Sequence, residues 1–73
     1  MVKKGHAWLV REKNGTPVLY FNQKPIRGKE GWSQLYHVDR TEITEDMIPK
    51  GINPDWKNPT PIEVEISINI INK

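Results

Sequence analysis

The stretch Ile62-Glu63-Val64-Glu65-Ile66-Ser67-Ile68-Asn69-Ile70 constrains this chain more than any other. Every even position is Ile or Val and every odd one is Glu, Ser or Asn. Side chains on a strand alternate between its two faces, so this is one strand with an unmixed apolar face. Five large β-branched residues in a row need cover, and the first sixty residues must supply it.

The clearest source of cover is His6–Gln23, with Asn14-Gly15 at its centre. Asn-Gly between two strand-like runs signals a hairpin, since both residues tolerate the positive φ of a type I′ turn. A two-residue loop there sets Lys13 opposite Thr16, Arg11 opposite Val18, Val10 opposite Leu19, Leu9 opposite Tyr20 and Trp8 opposite Phe21. Directly opposed residues share a face. One face then carries Trp8, Val10, Leu19 and Phe21, the expected cover for the last strand. The other carries Leu9, Arg11, Lys13, Val18 and Tyr20 and is open to a partner or ligand.

Further along, Gln23–Gly31 reads as a loop, because Pro25 and two glycines interrupt any strand. Trp32–Val38 returns to β-favouring residues and predicts a third strand. Thr44-Glu45-Asp46-Met47-Ile48 predicts one helical turn, with Thr44 as its cap and Pro49 as its stop. Residues 49–61 hold four of the six prolines and read as an ordered extended crossing anchored by Ile52 and Trp56. The expected fold is a mainly β, small single domain over residues 1–73, with residues 1–5 a flexible lead-in. It is a β-hairpin plus two further strands in an antiparallel sheet or open barrel, with one short helical turn.

At 73 residues the core is thin, and the chain has no Cys for disulfides or soft metals. Self-association is the remaining reinforcement for so small a scaffold, so a homo-oligomer is expected. No run approaches the ~20 apolar residues of a membrane span, and the expected location is the cytoplasm. Net charge is +2. Residues 1–40 carry eight Lys or Arg against three acids, and residues 41–73 carry three Lys against six acids. A basic first half invites an anionic partner; the acidic second half argues against wrapping a nucleic acid polymer.

Catalysis has little support. The only serines are Ser33 and Ser67, and the second falls on the outer face of a strand with no His near it in sequence. Glu63/Glu65 and Glu45/Asp46 read better as a solvated strand face and a helix start. His37-Val38-Asp39 offers two metal ligands without a third. The residues predict no catalytic site, no metal site, no cofactor and no enzyme. The informative group is basic and aromatic. Arg11, Tyr20, Lys24, Arg27 and Trp32 are the candidate ligand-binding residues, with Lys29 beside them. Guanidinium and ammonium groups bind phosphates, and aromatic or guanidinium planes stack on bases. Lys24-Pro25-Ile26-Arg27-Gly28-Lys29 lacks the order of a P-loop, so nucleotide hydrolysis has no support.

The pattern Trp8-Leu9-Val10-Arg11-x-Lys13-x-Gly15, then Leu19-Tyr20-Phe21-x-x-Lys24-Pro25-x-Arg27 and Trp32, resembles a group of very short bacteriophage and prophage proteins. So does Asp46-Met47-Ile48-Pro49, followed by Trp56 and by Pro61-x-Glu63-Val64. The resemblance implies a phage accessory protein that blocks host antiviral signalling from the host cytoplasm. One such class, the anti-CBASS sponges, sequesters cyclic dinucleotides between subunits of an oligomer. On that reading Lys24 and Arg27 hold phosphates, while Arg11, Tyr20 or Trp32 stacks on bases. The alternative is an inhibitor or adaptor that engages a host protein through the hairpin face or a free strand edge.

Overall fold

A computed structural model describes residues 2–36 and 38–69. The chain forms β1 (Val2–Arg11), β2 (Pro17–Phe21), β3 (Ile26–Arg27), β4 (Trp32–Ser33), β5 (Arg40–Glu42), a 3₁₀ turn (Glu45–Met47) and β6 (Ile62–Asn69). Four strands make one antiparallel sheet in the order β5-β2-β1-β6, and β3 and β4 form a separate two-stranded ribbon. Among the described residues the large sheet stays open, with β5 and β6 at its ends. The mainly β, antiparallel, single-domain expectation is met, and Ile70 of the last-strand pattern lies outside the described residues.

The hairpin forms where Asn14-Gly15 places it, but its register is one residue away from the expected one. Trp8 pairs with Tyr20, Leu9 with Leu19, Val10 with Val18 and Arg11 with Pro17. The turn explains the shift. A type I′ turn needs positive φ at both central residues, yet only Gly15 has it here, at φ 96°. The Glu12 N–H donates to the Thr16 carbonyl at 2.8 Å, and the Gly15 N–H donates to the Glu12 carbonyl at 2.9 Å. That is a three-residue loop closed by one left-handed glycine, with the Asn14 side chain accepting from the Thr16 N–H at 3.0 Å.

A one-residue slip moves β2 side chains to the opposite face. Val18 and Tyr20 therefore join Trp8 and Val10, while Leu19 and Phe21 join Ala7 and Leu9. The predicted face of Trp8, Val10, Leu19 and Phe21 does not exist. The last strand is also not stacked on the hairpin as a second layer. It pairs with β1, placing Ile62 beside Leu9, Val64 beside Ala7 and Ile66 beside Gly5, so the Ile/Val row extends the Ala7/Leu9/Leu19/Phe21 face.

The two faces are covered differently. On the first, Val10, Val18, Tyr20 and Trp32 form the buried cluster, with Trp56 packed against it. Tyr20 and Val18 have no exposed surface. On the second, the 3₁₀ turn and its flanks give partial cover, and a mainly apolar groove of about 120 Å³ is lined by Leu9, Leu19, Ile43, Met47, Pro49, Val64, Glu65 and Ile66. Ile62, Val64 and Ile66 are only half-buried. Their cover is incomplete.

The third strand is shorter than predicted. β4 ends at Ser33 because the buried Gln34 side chain takes over the pairing role. Its Nε2 donates to the Phe21 carbonyl at 2.8 Å and the Gln23 carbonyl at 2.5 Å, and its Oε1 accepts from the Asp39 N–H at 2.6 Å. Leu35, Tyr36 and Val38 stay exposed. The helical turn appears at Glu45–Met47, but the Thr44 hydroxyl bonds the Asp46 carboxylate instead of capping a backbone N–H. In the proline-rich crossing Pro54 is buried and Trp56 half-buried, whereas Ile52 is exposed.

Candidate anion-binding basins

The loop after β2 and the proline-rich crossing meet at Arg27. Arg27 lies on β3 opposite Trp32 of β4, and the turn between these strands is tied by the Gly28 N–H donating to the Gly31 carbonyl at 2.8 Å. From there the Arg27 guanidinium reaches Trp56. Its Nη1 donates to the Trp56 carbonyl at 2.5 Å, and its carbon sits 5.1 Å from the indole centroid. This cation–π and hydrogen-bonded contact pins the crossing to the β3–β4 ribbon.

Arg27 also divides two open basins. One, of about 560 Å³, is lined by Arg27, Gly28, Lys29, Trp56 and Lys57. The other, of about 480 Å³, is lined by Lys24, Pro25, Ile26, Arg27, Pro59, Thr60 and Pro61. Four cations line the pair and no carboxylate does. Lys24, Lys29 and Lys57 are exposed. Two side-chain-capped turns shape the crossing: Asp55 accepts from the Lys57 N–H at 3.0 Å, and Asn58 from the Thr60 N–H at 2.9 Å. The arrangement is chemically simple. It offers exposed ammonium donors around a guanidinium–indole contact.

Of the five residues singled out in the sequence, Lys24 and Arg27 come together at the second basin. Arg11, Tyr20 and Trp32 meet elsewhere, at the hairpin end of the sheet. The Tyr20 hydroxyl shares its proton between the Trp32 carbonyl at 3.2 Å and the Glu12 carboxylate at 3.3 Å. The Trp32 indole N–H donates to the Arg11 carbonyl at 3.1 Å. Burial, with the Glu12 charge beside it, raises the Tyr20 phenol above its ordinary value. Both rings belong to the buried cluster. The aromatic ring at the basins is instead Trp56. Its signal in the sequence is the adjacent pair Trp56-Lys57, an aromatic beside a cation.

Arg11 is a clamp between segments. Its Nε donates to the Pro54 carbonyl at 2.9 Å, its Nη1 to the Gly15 carbonyl at 2.8 Å, and both terminal nitrogens face the Glu45 carboxylate. The pair stabilises both charged forms. The hydrogen bond to Arg11 holds the Glu45 carboxyl below its usual range, and the same bond raises Arg11. Because the folded-state value of Glu45 is depressed, its contribution is present above the ordinary carboxylate range and is lost as pH falls through the lower folded value. Glu45→Gln should therefore flatten the acid limb of stability below about pH 5. Urea midpoints between pH 7 and pH 3 check this; parallel curves for the two proteins would contradict it.

Among the described residues no group of three His, Cys, Asp or Glu is placed to hold a metal ion. His37, of the His37-Val38-Asp39 pattern, lies outside them. No helix among the described residues is long and apolar enough to cross a membrane. No family model matches the chain, and no curated protein or solved structure matches it either.

Proposed function

We propose that this protein is a non-enzymatic, phage-type accessory protein that binds and withholds a small anionic nucleotide, a cyclic dinucleotide being the class that suits its surface. The twin basins at Arg27 carry this reading: four cations, no lining carboxylate, and a guanidinium already stacked on an indole. A cyclic dinucleotide has two phosphodiesters and two bases. Lys24 and Arg27 serve one phosphate, and Lys29 and Lys57 the other, through charge-assisted hydrogen bonds. A base adds one layer to the Arg27–Trp56 stack. Open basins on a single chain leave such a ligand partly in water, so withholding it calls for a homo-oligomer that closes over it. Activity of this kind places the protein in the host cytoplasm, where the signal is.

A thermal-shift panel of cyclic di- and trinucleotides tests the reading. A ligand at a hundredfold excess over its Kd should raise Tm by about 10–20 °C in a domain this small. No shift across the panel at hundreds of micromolar would contradict it. A second reading has its own support: Leu35, Tyr36 and Val38, at 68%, 87% and 58% exposure, form an apolar segment suited to a host protein. That inhibitor reading leads if the panel is silent.

A further inference from the structure

The two ends of the large sheet differ. β5 is three residues, Arg40-Thr41-Glu42, all exposed and two of them charged. Short, charged edges of this sort resist pairing with other strands. β6 is eight residues long, and its pairing with β1 runs without a bulge from Ile62 to Asn69. Among the described residues nothing pairs with its outer edge. It contains no Pro, Lys or Arg, the residues that commonly block such an edge. Its only charges are Glu63 and Glu65, and their positions select the partner.

We propose that β6 pairs antiparallel with β6 of a second copy, about a two-fold axis through Ile66. In that register Ile66 stands opposite Ile66 of the second copy, Val64 opposite Ile68, Glu65 opposite Ser67 and Glu63 opposite Asn69. No carboxylate faces another. Shifting the register by two toward the N-terminus sets Glu65 against Glu65, and shifting by four sets Glu63 against Glu65; like charges directly opposed are destabilising. Odd shifts put the Ile/Val row against the polar row. Shifting by two toward the C-terminus also keeps the carboxylates apart, but it pairs five described residues where the register through Ile66 pairs seven. The register through Ile66 is therefore the longest self-pairing without opposed carboxylates.

The two-fold lies normal to the sheet, so each face of one copy continues into the same face of the other. The half-buried Val64 and Ile66 then stand opposite Ile68 and Ile66 of the second copy and extend the incompletely covered apolar face. Trp56 packs on the opposite face, against Val10 and Tyr20. Both copies thus present their cationic basins on one side of an eight-stranded sheet. The pairing rests on the edge and its charge pattern, and it stands whether or not the basins take a nucleotide.

Sedimentation of the full chain at tens of micromolar should give twice the 8.5 kDa chain mass. Ser67→Glu, which sets two carboxylate pairs across the junction, should weaken the dimer about fivefold to tenfold. Glu65→Lys combined with Ser67→Glu should restore it. Because the chain has no Cys, register can be read by oxidation. Glu65→Cys and Ser67→Cys proteins should cross-link on mixing, and neither should cross-link alone. A monomer at hundreds of micromolar overturns the proposal. So does a dimer whose affinity ignores Ser67→Glu, or one in which Glu65→Cys cross-links to itself.

Discussion

Trp32→Ala should remove about 3–5 kcal/mol, as truncation of a buried aromatic does, and leave the chain largely unfolded at 25 °C. A domain of this length holds on the order of 5 kcal/mol in total. Trp32 is 8% exposed and closes the cluster of Val10, Val18 and Tyr20. Its truncation opens a cavity and also strips the Arg11 carbonyl of the indole N–H it accepts. A half-buried carbonyl without its donor adds a further, smaller penalty. Tyr20→Phe is the milder control: the ring remains and only the hydroxyl shared by Glu12 and Trp32 is lost, at about 1–2 kcal/mol. Urea unfolding followed by far-UV circular dichroism measures both. A Trp32→Ala protein with a near wild-type midpoint would remove Trp32 from the core.

The second large effect concerns ligand. Lys24→Ala combined with Lys29→Ala should lower affinity for a cyclic dinucleotide by about a hundredfold, each charge-assisted contact being worth roughly 1.5 kcal/mol or more. The same protein should melt within a degree or two of the parent. Both side chains are exposed, one in each basin, and neither holds the fold. Arg27→Ala is a poorer probe, since it also loses the bond to the Trp56 carbonyl and the stack on its ring. It should lose both affinity and about 1–2 kcal/mol of stability. Isothermal titration beside thermal melts separates these effects. Unchanged affinity in the double variant would move the ligand away from the basins.

Much of the fold was legible because periodicity and turn residues are local signals. The Ile62–Asn69 alternation gave β6 its length and faces, Asn14-Gly15 gave the hairpin, and Thr44–Pro49 gave the helical turn. Register was not legible. Whether Asn14 joins Gly15 at positive φ depends on hydrogen bonds between Glu12, Gly15 and Thr16, and that choice decided the face of every β2 side chain. Tyr20 moved into the core for this reason alone. The end of β4 was equally hidden, since a Gln34 side chain replaces backbone pairing there. For the basins, Lys24 and Arg27 could be named from their shared loop. Trp56 and Lys57 could not be joined to them, because only the crossing's return past β3 brings positions 27 and 56 together.

The surface around Arg27 is proposed to take an anionic nucleotide. Titration of the ¹⁵N-labelled protein with a cyclic dinucleotide, followed by amide and indole shifts, tests it most directly. Saturable shifts at the Trp56 indole and the Gly28, Lys29 and Lys57 amides are predicted, with the Trp32 indole little changed. A spectrum that stays still at millimolar ligand, or one that moves only at Leu35, Tyr36 and Val38, would contradict the account.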